Sequence, residues 1–291
     1  MTIDDAYPGI LRSHWGLTDP ITLKLAPRQG GNSVLFDVRP ADSPPLLAKL
    51  ALTGRVEFEA GLIVAERVNL RSNVQTSAPL RTADGAVSVM APYGRLVRPL
   101  AVMQPVHGEP VPMVDDSLAR PLARLLAKVH CASKDFDGPM RRADDLNLDM
   151  GMKFEDEVRP VVSAAFAEVR SLEQVTWGAC YNDEPDLFRD AEGELGLVDW
   201  GSVTFAPLLW DVLLWADFFS GRCRDLFLET YLDEGPITAD EMAHSDVLQR
   251  FSWASNLKFC AFRLAHPSHY GRYTDHDAEN LAMLLRRLVE A

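Results

Sequence analysis

One change of texture governs what this 291-residue chain can fold into. Up to about Gly108, short strand-like runs alternate with turn signals. Beyond it, apolar residues recur at helical spacing. ITLKLAP (21–27) and SVLFDVR (33–39) flank RQGGN, a Gly-rich turn, and so predict a hairpin. LLAKLAL (46–52) follows PADSPP and reads as a third strand, and VEFEAGLIVAERVNL (56–70) reads as a helix. AVSVMAP (86–92) and PLAVMQPV (99–106) add two strands, the second ending at the break VHGEP. Five strands with one inserted helix make a small α+β lobe. After it come helices at 117–133, with Asp115, Asp116 or Ser117 as N-cap, and at 151–174, bent or broken near Pro160. Four further helical runs follow an acidic segment. The expected architecture is α+β with two lobes, residues 1–107 and 108–291.

The length suits two lobes or one large domain. A formal charge of −13 argues against nucleic acid as a steady partner, because phosphate neutralisation needs clustered Lys and Arg. Cys131, Cys180, Cys223 and Cys260 are scattered with no CxxC pair, which predicts free thiols in a reducing compartment. MTIDDAYPGI does not read as a signal peptide. The longest apolar run, 207–219, is too short to span a bilayer and carries Asp211 and Asp217. A cytoplasmic protein with no membrane partner is expected; the residues do not specify an oligomeric state.

The chemistry concentrates in WGACYNDEPDLFRDAEGELGLVDWG (177–201). Asp183 and Asp199 stand 16 residues apart on either side of a predicted hairpin turn, with Asp186 between them. Close carboxylates raise one another's pKa unless a cation neutralises them. An Asp at the tip of the apolar strand LGLV is a rigid mount for a hard metal ligand. Magnesium takes one or two carboxylates and fills its other positions with water and phosphate oxygens.

The order of these parts resembles the aminoglycoside phosphotransferase and choline kinase-like small-molecule kinases, relatives of the protein kinases. The resemblance spans roughly residues 20–220. It rests on Asn182-Asp183, on Val198-Asp199-Trp200 and on Pro207-Leu208-Leu209-Trp210-Asp211. It implies a two-lobe protein-kinase-like fold and transfer of phosphate from ATP, with Mg2+, to a hydroxyl of a small molecule. The implied acceptors are an aminoglycoside, an amino sugar, an amino alcohol such as choline, or homoserine. Asp183 would accept or orient the hydroxyl proton, and Asp199 would bind the metal. Lys49 would contact the α/β phosphates and pair with a helix carboxylate, Glu59 in preference to Glu57. Gly30, Gly31, Asn32 and Ser33 would cover the phosphates through backbone N–H groups. Met103, Gln104 and Val106 would belong to the hinge against adenine. Asp211 would hold the catalytic loop through backbone N–H groups.

Two positions depart from the family's pattern. Tyr181 stands where a His usually precedes the catalytic Asp, and Phe188 stands where an Asn is usual. Asp186 is the nearest oxygen ligand and is expected to serve as the second metal contact. The departures also motivate an alternative, a nucleotide-binding pseudoenzyme or regulatory module of the same fold. Asp217, Asp233, Glu234, Asp240, Glu241 and His266 are acceptor-site candidates whose acidity favours a cationic acceptor. The three His of HPSHYGRYTDH (266–276) lack the Cys or Glu that would complete a zinc set, and a polar rim is expected there instead.

Overall fold

The computed structural model describes residues 3–27, 33–52, 54–112, 115–143, 155–265 and 274–290. The chain opens with a helix, α1 (Ile3–Trp15), and then builds an antiparallel sheet from six strands. These are β1 (Thr22–Leu25), β2 (Ser33–Arg39), β3 (Leu46–Ala51), β4 (Pro79–Leu80), β5 (Val89–Tyr93) and β6 (Leu96–Met103). Their order is β1-β2-β3-β6-β4, with β5 also paired to β6. Helix α2 (Arg55–Ser72) runs between β3 and β4.

Strand parity divides this sheet into two faces. Leu46, Ala48 and Leu50 of β3 join Phe36, Val38, Leu100 and Val102 in one buried cluster, which Tyr7 and Leu11 of α1 close. Leu47 and Ala51 point the other way, into a second cluster with Ala101, Met103, and Phe58 and Leu62 of α2. Lys49 shares the parity of Leu47 and Ala51, so its stem runs under α2. Helix α1 was not expected from the sequence. Pro8 interrupts its hydrogen-bond ladder, and burial of Tyr7 and Leu11 on the sheet outweighs that loss. Tyr7 Oη donates to the Pro92 carbonyl at 3.0 Å and Trp15 Nε1 to the Leu80 carbonyl at 2.8 Å, which pins both ends.

The rest of the chain is mainly helical. A short 3-10 turn at Asp116–Leu118, capped by Asp115 through the Ser117 N–H at 2.8 Å, leads into α3 (Ala119–Ser133). Helix α4 (Glu155–Arg170) continues through Pro160 and is not broken there; the proline lies in its second turn, close to the unbonded end of the ladder. Three small strands follow: β8 (Trp177–Cys180), β9 (Asp186–Arg189) and β10 (Leu195–Val198). A strand missed in the sequence, β7 (Glu109–Pro110), adds to β9. Then come β11 (Thr204–Pro207), which pairs with β8, and α5 (Leu208–Ala216), α6 (Gly221–Glu234), α7 (Ser245–Ala265) and α8 (Thr274–Glu290). Leu122, Leu126, Phe166, Trp215, Phe227 and Phe251 fill the core of this half. Among the described residues no helix is long and apolar enough to cross a membrane, and all four cysteines are free.

Candidate active site

The acidic segment folds as a turn, a hairpin and a strand tip. Asp183 follows β8, and Asp199 follows β10 directly. Asp186 opens β9 opposite Val198, the last rung of the β9–β10 ladder. The hairpin therefore brings the tip of β10 back beside the turn that carries Asp183. Asn182 and Asp199 both have left-handed backbone, with φ of 57° and 59°. Non-glycine residues are held in that region only where their surroundings over-determine them.

Asp211, fully buried on α5, is the anchor of the turn. Its Oδ1 accepts the Asn182 N–H at 2.8 Å and its Oδ2 accepts the Tyr181 N–H at 2.5 Å. His130 of α3 meets Asp211 Oδ2 through Nε2 at 3.3 Å, and its Nδ1 meets Tyr231 Oη at 2.6 Å. Cys180 lies close enough for His130, Cys180 and Asp211 to form a candidate metal cluster. All three are committed elsewhere, Cys180 to the Ala206 and Pro207 carbonyls, so the cluster is a closed structural network. Trp215 Nε1 donates to the Asp183 carbonyl at 3.1 Å and holds the far side of the turn.

The Asp183 carboxylate accepts from Ser202 Oγ and from the Glu184 N–H, both at 2.9 Å. It opens to the cleft, yet protein crowds it enough to raise its pKa above the ordinary Asp value. Desolvation is the largest cause; Asp199 and Asp211 push the same way, and the two hydrogen bonds oppose them. The buried Tyr181 phenol is raised well above its usual range, first by burial, then by Asp199, Asp183 and Asp186. The charges of all three acids thus act on one phenol.

Lys49 reaches across from β3 to Asp199, with Nζ 2.8 Å from Oδ1. The expected Lys49–Glu59 pair is not formed. Glu59 lies a third of a turn away from the Phe58–Leu62 face of α2. It is held by Arg55 at 2.8 Å and by Ser88 Oγ at 2.6 Å. Phe58, Gly61, Leu62 and Ala65 of α2 line a small cavity together with Lys49, Met103 and Trp200. Gly61 permits an unusually close approach: a Cβ there would lie 2.1 Å from the Trp200 carbonyl oxygen. The backbone of the turn after Asp199 therefore rests directly on α2.

The remaining expected residues distribute as follows. Ser33 is buried as the first residue of β2, opposite Ala51; Gly30, Gly31 and Asn32 lie outside the described residues. Met103 is buried at the end of β6, Gln104 is exposed with its N–H on the Ala78 carbonyl at 3.0 Å, and Val106 packs against Gly196. Among the acceptor candidates, Glu241 is excluded. It is buried in a capping box with Thr238 and also accepts from Thr176. Glu234 pairs with Arg124, and His266 lies outside the described residues. Tyr181 and Trp215 were not foreseen as parts of the site, because their roles depend on contacts across the fold.

No protein-family model matches the sequence, and no curated protein matches it. Solved structures do. An amicoumacin kinase, hAmiN, in complex with AMP-PNP, Ca2+ and Ami, aligns with 99% of this chain and 93% of its own at TM-score 0.73 and 12% identity. The chain has the two-lobed fold of the protein-kinase-like small-molecule kinases. A microcompartment-associated aminopropanol kinase aligns over 98% of this chain and 97% of its own, at TM-score 0.67 and 16% identity. Choline kinase LicA from Streptococcus pneumoniae aligns over 95% and 98%, at TM-score 0.61 and 12% identity. At such identities the kinase-like likeness concerns fold. The donor set of the kinase-like cleft, carboxylate oxygens opposite a lysine, has the hard-oxygen chemistry that suits a magnesium ion.

Proposed function

We propose that this protein transfers a phosphoryl group from ATP to a hydroxyl of a small molecule. The observation that carries the reading is the Lys49–Asp199 contact across the cleft at 2.8 Å, beside the raised carboxylate of Asp183. The fold likeness to an amicoumacin kinase, an aminopropanol kinase and a choline kinase supports it. The aminopropanol and choline kinases also fit an acceptor that carries a cationic nitrogen, as the acidity of this chain does.

In this reading Asp183 receives or orients the proton of the attacking hydroxyl. Ser202 and the Trp215 bond to its carbonyl keep it in place. Its raised pKa makes it a stronger base than an ordinary aspartate once ionised. Lys49 leaves Asp199 and moves its charge onto phosphate oxygens. Asp199 and Asp186 would hold Mg2+, whose chemistry when bound is to neutralise charge on the phosphates. Ser33, Met103, Gln104 and Val106 would line the nucleotide, with Gly30, Gly31 and Asn32 over the phosphates. The protein's share of catalysis is positioning and electrostatic stabilisation.

The test is a phosphorylation assay over a panel of aminoglycosides, amino sugars and amino alcohols, run with wild type and Asp183→Asn in parallel. Acceptor-dependent ADP release by wild type, lost in the variant, is the expected result; no release with any acceptor overturns the reading. One observation favours a second reading. The α2 residues that share the cavity with Lys49 have no carboxylate, and Glu59 is bonded to Arg55 and Ser88, which suits a nucleotide-binding module without turnover. Stabilisation by ATP without ADP release would select it.

A further inference from the structure

Three helices end around one opening that shares no residue with the Lys49–Asp199 cleft. Arg71 and Ser72 close α2, Cys131 and Ala132 lie in the last turn of α3, and Glu234 is the last residue of α6. With Ala127 and Lys128 they line a cavity of about 520 Å³. That is the size of a small-molecule site.

The walls carry both signs of charge. Helix α3 contains no acid, and Arg120, Arg124 and Lys128 recur every fourth position along its exposed stripe. Such a basic ridge stands apart in a chain of formal charge −13. Lys128 is exposed, and among the described residues it has no ion-pair partner. Arg71 has only a share in Asp135, at 3.2 Å, because Arg67 binds the same carboxylate oxygen. Helix ends make the opposite pole. The C-termini of α2, α3 and α6 leave carbonyls with partial negative charge there. The Glu234 carbonyl is met by the Cys131 thiol, a weak donor, at 3.7 Å. The Glu234 carboxylate is met by Arg124 in an exposed pair that holds it loosely.

We propose that this cavity is a second small-molecule site, whose ligand is a phosphate monoester carrying an ammonium group. Arg71 and Lys128 take the phosphate through charge-assisted bonds. The Glu234 carboxylate and the helix-end carbonyls take the ammonium. A simple anion or a simple amine satisfies only one pole. Transfer of phosphate to an amine-bearing acceptor yields a molecule of this class, so the site senses product; that role, unlike the binding itself, rests on the phosphotransfer reading. Arg71 and Ser72 end the same helix whose Gly61 lies against the turn after Asp199, so an occupant bears on a wall of the cleft.

The experiment uses Cys131 as a reporter in the cavity wall. The full chain is alkylated with iodoacetamide, which is uncharged. Peptide mass spectrometry follows the rate at Cys131 against Cys223, which does not line the cavity. Glucosamine 6-phosphate is compared with glucose 6-phosphate and glucosamine, each of which lacks one of its charges. At about 10 mM the first should slow Cys131 about tenfold, as for a Kd of about 1 mM, and the other two less than about twofold. In Lys128→Ala, loss of one charged bond should cost about tenfold in affinity and reduce the slowing to about twofold. No slowing, equal slowing by glucose 6-phosphate or by glucosamine, full slowing in Lys128→Ala, or a Cys131 that does not react in the free protein overturns the proposal. Failure of the phosphotransfer reading has a different signature: no acceptor releases ADP, while glucosamine 6-phosphate still protects Cys131.

Discussion

His130 Nε2 and Asp211 Oδ2 face each other at 3.3 Å with both side chains fully removed from solvent. The contact links α3 to the loop that carries Asp183, because Asp211 already holds two N–H groups of that loop. Truncating Asp211 orphans both donors in a dry site, at about 1–3 kcal/mol each. Asp211→Ala is therefore expected to lower stability by about 3 kcal/mol, or a Tm fall of roughly 6–12 °C for a chain of this size. Thermal denaturation checks this. A fall of less than about 2 °C would show that the loop stands without its anchor.

The backbone contact between α2 and the turn after Asp199 yields a second expectation. Alanine at 61 improves helix propensity by about 1 kcal/mol. Its Cβ also collides with the Trp200 carbonyl, and overpacking costs about 1–3 kcal/mol. Gly61→Ala should destabilise the protein by about 1 kcal/mol net and weaken ADP binding about tenfold, as the turn is displaced from Lys49. Chemical denaturation and calorimetry read the two effects; unchanged nucleotide binding would mean the turn moves freely.

Lys49 is expected to act on the nucleotide and not on stability. Its partner Asp199 is half exposed, and such ion pairs contribute little to folding. A charged hydrogen bond to phosphate is worth about 2 kcal/mol, so Lys49→Met should weaken ADP binding roughly 30-fold with a Tm within about 2 °C of wild type. Glu59→Gln, by contrast, should leave ADP affinity within about twofold, since Glu59 serves Arg55 and Ser88. A loss of tenfold or more would restore Glu59 to the site.

The pH dependence follows from Asp183. Its folded pKa is raised from the ordinary 3.8, so the folded state binds this proton more tightly than the unfolded chain. The stability this group contributes is complete below the ordinary value and is lost as pH rises through the raised one. Asp183→Asn should therefore melt above wild type at neutral pH, with the difference shrinking under acid. Activity should follow the opposite course, rising as Asp183 ionises. Equal melting curves across pH would remove desolvation of Asp183 from the account.

Most of the scaffold was legible because it follows local rules. The strand-like runs on either side of the turn RQGGN announced β1 and β2, the place of Asp199 after LGLV announced the strand tip, and the resemblance to the small-molecule kinases implied Asp183 and Asp211 as loop acid and anchor. What escaped depends on side chains meeting across the fold. Helix α1 is disguised by Pro8 and held by burial against the sheet. Glu59 and the Phe58–Leu62 face differ by a third of a helical turn, an offset that sequence alone does not orient toward Lys49. Glu241 read as an acceptor-site candidate, yet its carboxylate closes a helix start and satisfies Thr176. The hydroxyl of Tyr181 works on residues 5 and 17 positions away, so no local pattern reveals it.

In related folds a helix at the position of α2 can be displaced as a control element, breaking the ion pair between its glutamate and the strand lysine. Here no such pair exists to break, and the glycine notch lets main chain lie on main chain. Displacing α2 would drag the Asp199 turn along with it. The helix and the turn after Asp199 are therefore seated as one piece, so that neither shifts without the other.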